Sequence, residues 1–282
     1  MQRRFDQVDV FASDAFSGNP LAVVHDAHGM TTEQMLAFTA WTNLSEATFL
    51  LPPTDPAADY RVRIFCPGRE LPFAGHPTLG TCAAWLAAGG VPQRGDRIVQ
   101  ECGAGAVPIR IDGDRLAFAA PPMLRSGPIE PDLLATRLDA LAIDSGDVIE
   151  AAWIDNGPGW MGVLLASSDA VLDVSLPSGT HPAFDVGLVG LRADGDECAI
   201  EVRGLFADAG GLVREDPVTG SLNASVAQWL EATGHVSLPY VASQGTNLDR
   251  RGRVVVERVG DDIWIGGRVD IRITGIVDIA AP

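Results

Sequence analysis

The sequence predicts an α+β protein of two similar domains, each with a mostly antiparallel sheet rolled around one central helix. Three observations predict this class. Two stretches that lie 140 residues apart resemble each other without a gap, one beginning at Val62 and the other at Val202. Each stretch has the pattern of a strand, a loop and a helix. Each helix is apolar on most sides through its first turns, as expected of a helix inside a core.

The offset of 140 holds along the whole repeat. Residues 62–84 align with residues 202–224, and the pairs include Arg63 with Arg203 and His76 with Asp216. Each predicted helix therefore opens at a polar residue followed by proline. Because the two helix starts carry different titratable groups, a site between them would have two unlike faces. Ligands favour clefts at domain interfaces, so we expect a small anionic substrate in the interdomain cleft.

The N-terminal half has the pattern of several strands and two helices. Thr31 and Gln34 have the spacing of a capping box, which opens a helix that reaches about Trp41. A second helix runs from His76 to about Ala88 and is ended by two glycines. The predicted strands, from alternating or continuous apolar runs, are 5–12, 21–24, 46–51, 60–64, 98–101, 107–111 and 116–119.

A proline-rich stretch at 121–131 is the candidate linker. This linker separates an N-terminal domain at 1–121 from a C-terminal domain at 122–269. The last strand, at about 270–282, is a candidate to complete the N-terminal domain. In the second domain Asp216 is expected to open a helix that reaches about Thr233. The other elements predicted after the linker are a helix at 132–141 and strands at 152–154, 162–165, 199–206, 254–257, 263–265 and 269–273.

The composition is that of a globular protein with a strongly acidic surface. Of its 282 residues 46% are hydrophobic and 20% are charged, and the net charge is -17. Such acidity disfavours nucleic acid and anionic membranes as partners. No stretch approaches the ~20 apolar residues that cross a bilayer, and no apolar signal region precedes the first strand. We therefore expect a cytoplasmic protein.

The sequence gives no sign of a metal or cofactor site. The four cysteines, at positions 66, 82, 102 and 198, are too far apart for a zinc-binding pair. No zinc-protease motif, phosphate-binding loop, dinucleotide fingerprint or nucleophile elbow occurs. The sequence therefore offers no candidate metal ligands and no cofactor-binding motif.

The two predicted helix starts are the first candidates for chemistry. The first N–H groups of a helix lack partners and carry partial positive charge, which suits a carboxylate ligand. His76 and Asp216 stand at these starts, and Ser221 adds a hydroxyl. Gly75 and Gly220 let the backbone approach a ligand closely. The alternatives are that Asp216 only caps its helix and that His76 is a structural histidine.

Glu46 is the third titratable candidate. A glutamate entering an apolar strand is costly to bury in its ionised form, and partial burial would raise its pKa into the range of a general acid/base. The alternative is an edge-strand glutamate that faces water. Asn19 and Asn156 lie in loops with glycine and proline, which fits either ligand contact or turn formation alone.

Segments over most of the chain resemble the phenazine-biosynthesis PhzF-like family. The most specific are residues 70–80, ELPFAGHPTLG, and residues 215–221, EDPVTGS. The resemblance implies the diaminopimelate-epimerase fold, with two similar domains, each a sheet around a central helix, and the active site between them. The internal repeat agrees with this fold.

The resemblance also implies cofactor-free proton transfer on a small carboxylate-bearing metabolite, in a homodimer. The glutamate that shuttles the proton in the family's phenazine enzyme, an isomerase of a dihydro-hydroxyanthranilate, matches Glu46, and the assisting residues match His76, Asp216 and Ser221. Ala47 and Val218, beside these positions, depart from the family pattern. The candidate substrate-binding residues are Asn19, Gly75, Thr78, Asn156, Gly157, Gly220 and Ser221.

Three other functions stay open. A racemase or epimerase would pair Glu46 with Asp216 or His76, although related amino-acid epimerases carry a cysteine at each helix start. A binding protein that lost the chemistry would have no need for all three titratable residues. A hydrolase built on Ser221, His76 and Asp216 would need its serine on an exposed elbow, whereas Ser221 is predicted within a helix start.

Overall fold

The structure, a computed structural model, describes residues 1–95 and 97–279. It divides into two compact units: unit 1 comprises residues 1–119 and the chain from residue 266 onward, and unit 2 comprises residues 120–265. The end of the predicted last strand, residues 280–282, lies outside the described residues. Within the described ranges, no helix is both long and apolar enough to span a lipid bilayer.

Unit 1 is built from strands around one buried helix, with a second helix outside. The helices are α1 (Thr32–Thr42) and α2 (Gly75–Ala87). The strands are β1 (Gln2–Val10), β2 (Asn19–Val24), β3 (Ala47–Leu51), β4 (Tyr60–Cys66), β5 (Arg69–Leu71), β6 (Arg97–Cys102), β7 (Gly105–Asp112), β8 (Arg115–Ala119) and the part of β17 (Asp262–Asp278) that follows residue 265.

The sheet of unit 1 closes on itself. Its strand order is β8–β7–β6–β4–β3–β2–β1–β17, and β17 pairs back to β8. The β2–β3 and β4–β6 pairs are parallel. Helix α2 contacts β1, β2, β3, β6 and β8, so the ring of strands encloses it. Gly80 permits this close packing, since a Cβ there would lie 2.5 Å from Cδ2 of Leu21.

Helix α1 lies on the outside of this ring. Its predicted capping box is confirmed: Thr31 is the N-cap, and its side chain and that of Gln34 each accept the other's backbone N–H. Met35 is buried against apolar side chains that project outward from the strands, among them Phe49 and Phe65. Unit 1 therefore has an inner core around α2 and an outer layer beneath α1.

Unit 2 repeats the plan of a sheet with one buried helix. Its helices are α3 (Pro131–Ala140), α4 (Ser168–Leu172) and α5 (Gly220–Ala232), with 3-10 turns at Ser145–Asp147 and Thr246–Leu248. Its strands are β9 (Arg125–Gly127), β10 (Val148–Asp155), β11 (Met161–Leu165), β12 (Asp185–Leu191), β13 (Ile200–Ala207), β14 (Val213–Asp216), β15 (Tyr240–Gln244), β16 (Gly252–Val259) and the first residues of β17.

The strand order in unit 2 is β9–β10–β11–β12–β13–β15–β16–β17. The β11–β12 and β13–β15 pairs are parallel, at the same two places in the order as the parallel pairs of unit 1. Most residues of α5 are buried, and α5 contacts β10 and β16. The predicted class, α+β with a sheet around a central helix in each half, is confirmed.

The predicted start of the second central helix is wrong. Asp216 is the last residue of β14, where it stands opposite Gly204 of β13, and α5 begins at Gly220 with Thr219 as its N-cap. The cause is the preceding hairpin. The β4–β5 hairpin turns through residues 67–68, whereas the β13–β14 hairpin turns through residues 208–212.

The longer hairpin shifts the repeat. Up to β4 and β13 the gap-free offset of 140 holds, but α2 and α5, which both have 13 residues, begin 145 residues apart. In space His76 therefore matches Ser221, the second residue of α5, and not Asp216. The alignment of the two proline-containing segments without a gap is a sequence similarity that the fold does not follow.

Candidate active site

Glu46 and His76 lie side by side in unit 1. Glu46 directly precedes β3, and His76 is the second residue of α2. The Oε2 atom of Glu46 is 3.4 Å from Nε2 of His76, and the two side chains are 17% and 4% exposed. The pair is therefore largely shielded from water, and its carboxylate is the more accessible partner.

Asn19, the first residue of β2, lies at the other imidazole nitrogen. Its Nδ2 is 3.4 Å from Nδ1 of His76, and both residues are buried. Because an amide nitrogen only donates, Nδ1 accepts this hydrogen bond and the neutral imidazole carries its hydrogen on Nε2. That hydrogen is on the side of Glu46.

The imidazole of His76 is neutral at ordinary pH. Burial lowers the pKa of His76 to about 3, because the charged ring would lose its hydration inside unit 1. Nε2 of His76 and Oε2 of Glu46 do not form a hydrogen bond at this distance, so the contact places an N–H donor beside a carboxyl oxygen rather than forming an ion pair. A carboxylate beside a neutral donor can accept a proton from a bound compound and return it.

The start of α2 adds backbone donors beside the pair. Its N-cap is Ala74, which offers no capping side chain, so the N–H groups of Gly75 and His76 have no acceptor within the helix. Thr78 makes the first helical bond, to the carbonyl of Ala74. The hydroxyl of Thr78 accepts a hydrogen bond of 2.9 Å from Gln100 of β6. The structure thus brings Gly75 to the pair and directs the side chain of Thr78 to the sheet.

Asp216 in unit 2 is tied to the N-cap of α5. Its Oδ2 accepts from the hydroxyl of Thr219 at 2.7 Å. Gln244 of β15 donates to the carbonyl of Asp216 and to the Thr219 hydroxyl, and accepts from the Thr219 N–H at 3.0 Å. Neither Thr219 nor Gln244 was predicted as a site residue from the sequence. Gln244 ends a strand that was not predicted, so no spacing signal pointed to it.

Ser221 occupies in α5 the position that His76 occupies in α2. Its hydroxyl accepts from the indole N–H of Trp160 at 3.2 Å, and its carbonyl accepts from the side-chain amide of Asn156 at 2.9 Å. Gly157 follows with φ of 139°, which favours glycine,. The structure thus brings together Asn156, Gly220 and Ser221. Trp160 was missed as a site residue, although it ends the same short loop as Asn156.

Asp185 is a further acidic residue that sequence reasoning missed. Ala47 of β3 is opposite Phe65, and Val186 of β12 is opposite Leu205, the repeat partner of Phe65. Asp185 therefore precedes Val186 as Glu46 precedes Ala47. The gap-free offset of 140 pairs Glu46 with Val186, one residue after Asp185. An alignment with a single gap would pair Glu46 with Asp185.

The side chains near these helix starts do not support metal or thiol chemistry. In the part of the chain that the structure describes, no group of three or more His, Cys, Asp or Glu side chains could hold a metal ion. Burial raises the pKa of the Cys82 thiol in α2 to about 12, so this thiol is protonated and is a poor nucleophile.

The two units define a diaminopimelate-epimerase-like fold, with polar groups at the starts of the two central helices. A family model described as phenazine biosynthesis-like protein matches residues 8–273. The chain belongs to this PhzC-PhzF family, and the resemblance stated from the sequence is confirmed.

Named relatives cover nearly the whole chain. Antisense-enhancing sequence 1 of Schizosaccharomyces pombe is 32% identical, over 97% of this chain and 98% of the relative. The trans-2,3-dihydro-3-hydroxyanthranilate isomerase of Pseudomonas aeruginosa is 31% identical, over 91% of each. Among solved structures, a predicted epimerase from Pseudomonas aeruginosa has a TM-score of 0.76 and 30% identity, over 98% of this chain and 99% of that one.

Proposed function

We propose that this protein is a cofactor-independent isomerase that moves a proton on a small carboxylate-bearing metabolite. The observation that carries the proposal is the contact of Glu46 with a neutral, buried His76. Family membership supports the reaction class, since a 31% identical relative is named as an isomerase of a hydroxyanthranilate, a carboxylate-bearing compound. A cytoplasmic location stays a prediction from the sequence, and a homodimer stays an expectation from the resemblance to the family.

In the proposed reaction Glu46 carries the proton. Its carboxylate takes a proton from a carbon next to an unsaturated system, and the electron pair of that C–H bond delocalises into a dienol- or enamine-like intermediate. The Glu46 carboxylic acid, which is 17% exposed and can exchange its proton with water, then delivers a proton to a different carbon of that system. Nothing is oxidised or reduced, and the double bond shifts. General acid/base transfer of this kind contributes typically ~10²–10⁴-fold in rate.

His76 and Asn19 prepare the carboxylate for this role. The Nε2–H of His76 lies on the side of Glu46 and can donate to its oxygen or to a polar group of the intermediate. A neutral imidazole leaves the abstracted proton on Glu46, whereas an imidazolium beside it would favour the ionised carboxylate and weaken it as a base. Asn19 fixes the tautomer by occupying Nδ1.

The substrate-binding roles are part of the same proposal. We assign the substrate carboxylate to backbone donors at a helix start, such as those of Gly75 and His76, because such groups suit anions. Asp216 and Ser221 are assigned to polar groups of the substrate, by analogy with the family motif. The further proposed binding residues are Asn19, Thr78, Asn156, Gly157 and Gly220.

The test is the replacement Glu46→Gln, which keeps the size of the side chain and removes the base. Trans-2,3-dihydro-3-hydroxyanthranilate, the compound in the relative's name, is incubated with the protein in D2O, and NMR follows deuterium incorporation and double-bond migration. We expect Glu46→Gln to lose at least ~10²-fold in exchange rate. Glu70→Gln, an exposed glutamate on β5 of the same unit, is the matched control and should retain the native rate.

A deuterium exchange rate in Glu46→Gln equal to that of the native protein would show that Glu46 does not carry the proton. Asp216→Asn in the same assay tests the second titratable residue, and an unchanged KM and kcat would remove Asp216 from the site. If the compound is inert with the unaltered protein, a panel of cyclic and acyclic unsaturated carboxylates replaces it.

An epimerase is the second candidate, because a solved relative with 30% identity is described as a predicted epimerase. Such an enzyme would return the proton to the same carbon on the opposite face. The two central helices begin with Gly75-His76 and Gly220-Ser221, so the reaction would proceed without a thiol pair. Chiral chromatography of the product separates inversion from double-bond migration.

A further inference from the structure

Arg61 of β4 is a half-buried cation with no partner in the described residues. It makes no hydrogen bond or ion pair with them, and its Nε atom is shielded from water. The other half-buried arginines of the described chain each have an interaction partner. An ionised group removed from water without a counter-charge is costly. The absence of a partner is notable in a chain with 37 acidic and 20 basic residues.

The carboxylate that stands opposite Arg61 is engaged elsewhere. Glu101 stands opposite Arg61 in the parallel β4–β6 pair. One of its oxygens accepts from the backbone N–H groups of Thr54 and Asp55, at 2.6 and 3.0 Å, and the other accepts from the Thr54 hydroxyl. Glu101 therefore anchors the 54–55 turn, and its attraction to Arg61 acts at a distance.

A cavity of about 410 Å³ opens beside Arg61 on the outside of the ring of strands. Arg63, two residues further along β4, also lines it. Arg63 is held in place by both oxygens of Glu70 and by the hydroxyl of Thr32. The remaining wall is largely apolar and includes Met35, Leu51 and Pro53. The volume lies within the range of small-molecule sites.

We propose that this cavity binds a small organic anion, with its carboxylate on Arg61 and its apolar body on Met35, Leu51 and Pro53. A guanidinium offers a forked pair of N–H donors that matches a carboxylate. The apolar wall selects compounds that carry a hydrocarbon portion over inorganic anions. The site is separate from Glu46 and His76, since Arg61 and Arg63 project from β4 away from α2, which the ring encloses. It does not depend on the proposed isomerase activity.

The probe is hexanoate, titrated against full-length protein while NMR follows the arginine Nε–H signals. The Arg61 signal is identified by its absence in Arg61→Gln. We expect a saturable shift of this signal and of the signal of Arg63, which lines the same cavity and reports binding in the variants that lack Arg61. From the Arg63 signal we expect about 10-fold weaker binding in Arg61→Gln, which corresponds to the ~1.4 kcal/mol of a charge-assisted contact, and an intermediate affinity in Arg61→Lys. Arg115→Gln, which removes an exposed arginine of the same unit, should bind within twofold of the native protein.

Three results would overturn the site. They are an Arg61 signal that does not move, equal weakening by Arg61→Gln and Arg115→Gln, and binding of inorganic phosphate as tightly as hexanoate. The first would mean that the anion does not bind at Arg61, the second that Arg61 contributes no more than an exposed arginine, and the third that the apolar wall takes no part. Hexan-1-ol, which has the body without the charge, should give no saturable shift.

Discussion

The two units place one arginine–glutamate pair at the same position of the same hairpin and give it opposite surroundings. In unit 1 Arg63 pairs with Glu70 at 2.6 Å, with side chains 28% and 41% exposed. In unit 2 Arg203 pairs with Glu215 at 2.8 Å, and each is 2% exposed. Arg203 also donates to the carbonyls of Val171 and Val174, at the end of α4 and just beyond it. One pair is a surface contact and the other is part of a core.

The difference shows how a repeated plan can be specialised without a change of fold. Glu215 directly precedes Asp216, so the buried pair fixes the strand that carries Asp216. Glu70 has no such role, because a loop separates β5 from His76. In unit 1 His76 is positioned by α2 and by Asn19, whereas in unit 2 Asp216 is positioned by β14.

The largest expected effect comes from breaking the buried pair. Glu215→Ala leaves the Arg203 guanidinium buried without a counter-charge and should lower the free energy of unfolding by about 3–5 kcal/mol. Glu70→Ala removes the exposed equivalent and should cost about 0–1 kcal/mol. Urea unfolding of both variants under the same conditions measures the difference. Equal costs would mean that the surroundings of the two pairs do not matter.

The next effect concerns pH, because the start of α2 carries a histidine, His76, where the start of α5 carries Ser221. Native His76 takes up a proton only near pH 3, whereas the unfolded residue does so near 6.5. Between these values the unfolded state binds more protons, so stability falls as pH falls. His76→Asn should lose less stability than the native protein, by about 1.4 kcal/mol per pH unit.

Urea unfolding at two pH values between 4.5 and 6 checks this slope. His25, whose pKa is also lowered by burial, is present in both proteins and cancels. His28→Asn, at an exposed position, is the matched control and should reproduce the native slope. Parallel slopes for the native protein and His76→Asn would show that His76 is protonated in the folded state.

The smallest of the three effects is on the tautomer of His76. Asn19→Ala removes the donor at Nδ1 and should slow deuterium exchange about 10-fold, equivalent to one hydrogen bond of ~1.4 kcal/mol. Asn247→Ala removes an exposed amide that donates to Leu172 of unit 2 and serves as the control. An unchanged exchange rate in Asn19→Ala would mean that the tautomer is set by Glu46 alone.

The fold class and the capping box of α1 could be inferred from the sequence, whereas Glu46 was linked to His76 only through the resemblance to the family. Strand and helix periodicity carry this information locally, and the internal repeat supplies the pairing of the halves. The Asn19–His76 contact joins residues 57 positions apart and has no local signal. Both residues were selected for other reasons, Asn19 as a loop residue and His76 as a helix start.

The start of α5 could not be predicted from the local sequence pattern. Asp216 before Pro217 has the appearance of a cap and a first helical residue, and the gap-free repeat supported that interpretation. The hairpin loop before it is longer, and a β-hairpin tolerates added loop residues at small entropic cost. Such an insertion changes the register of everything after it while leaving the local sequence pattern intact.

The path of β17 has a consequence for the order in which this chain can fold during synthesis. The segment Gly266–Asp278 lies between β1 and β8 and closes the ring of unit 1. Until those residues leave the ribosome, both of these strands keep an open edge, which is a known route to misassembly. Unit 2, contiguous from 120 to 265, is complete earlier. The half that emerges first therefore reaches its native state last.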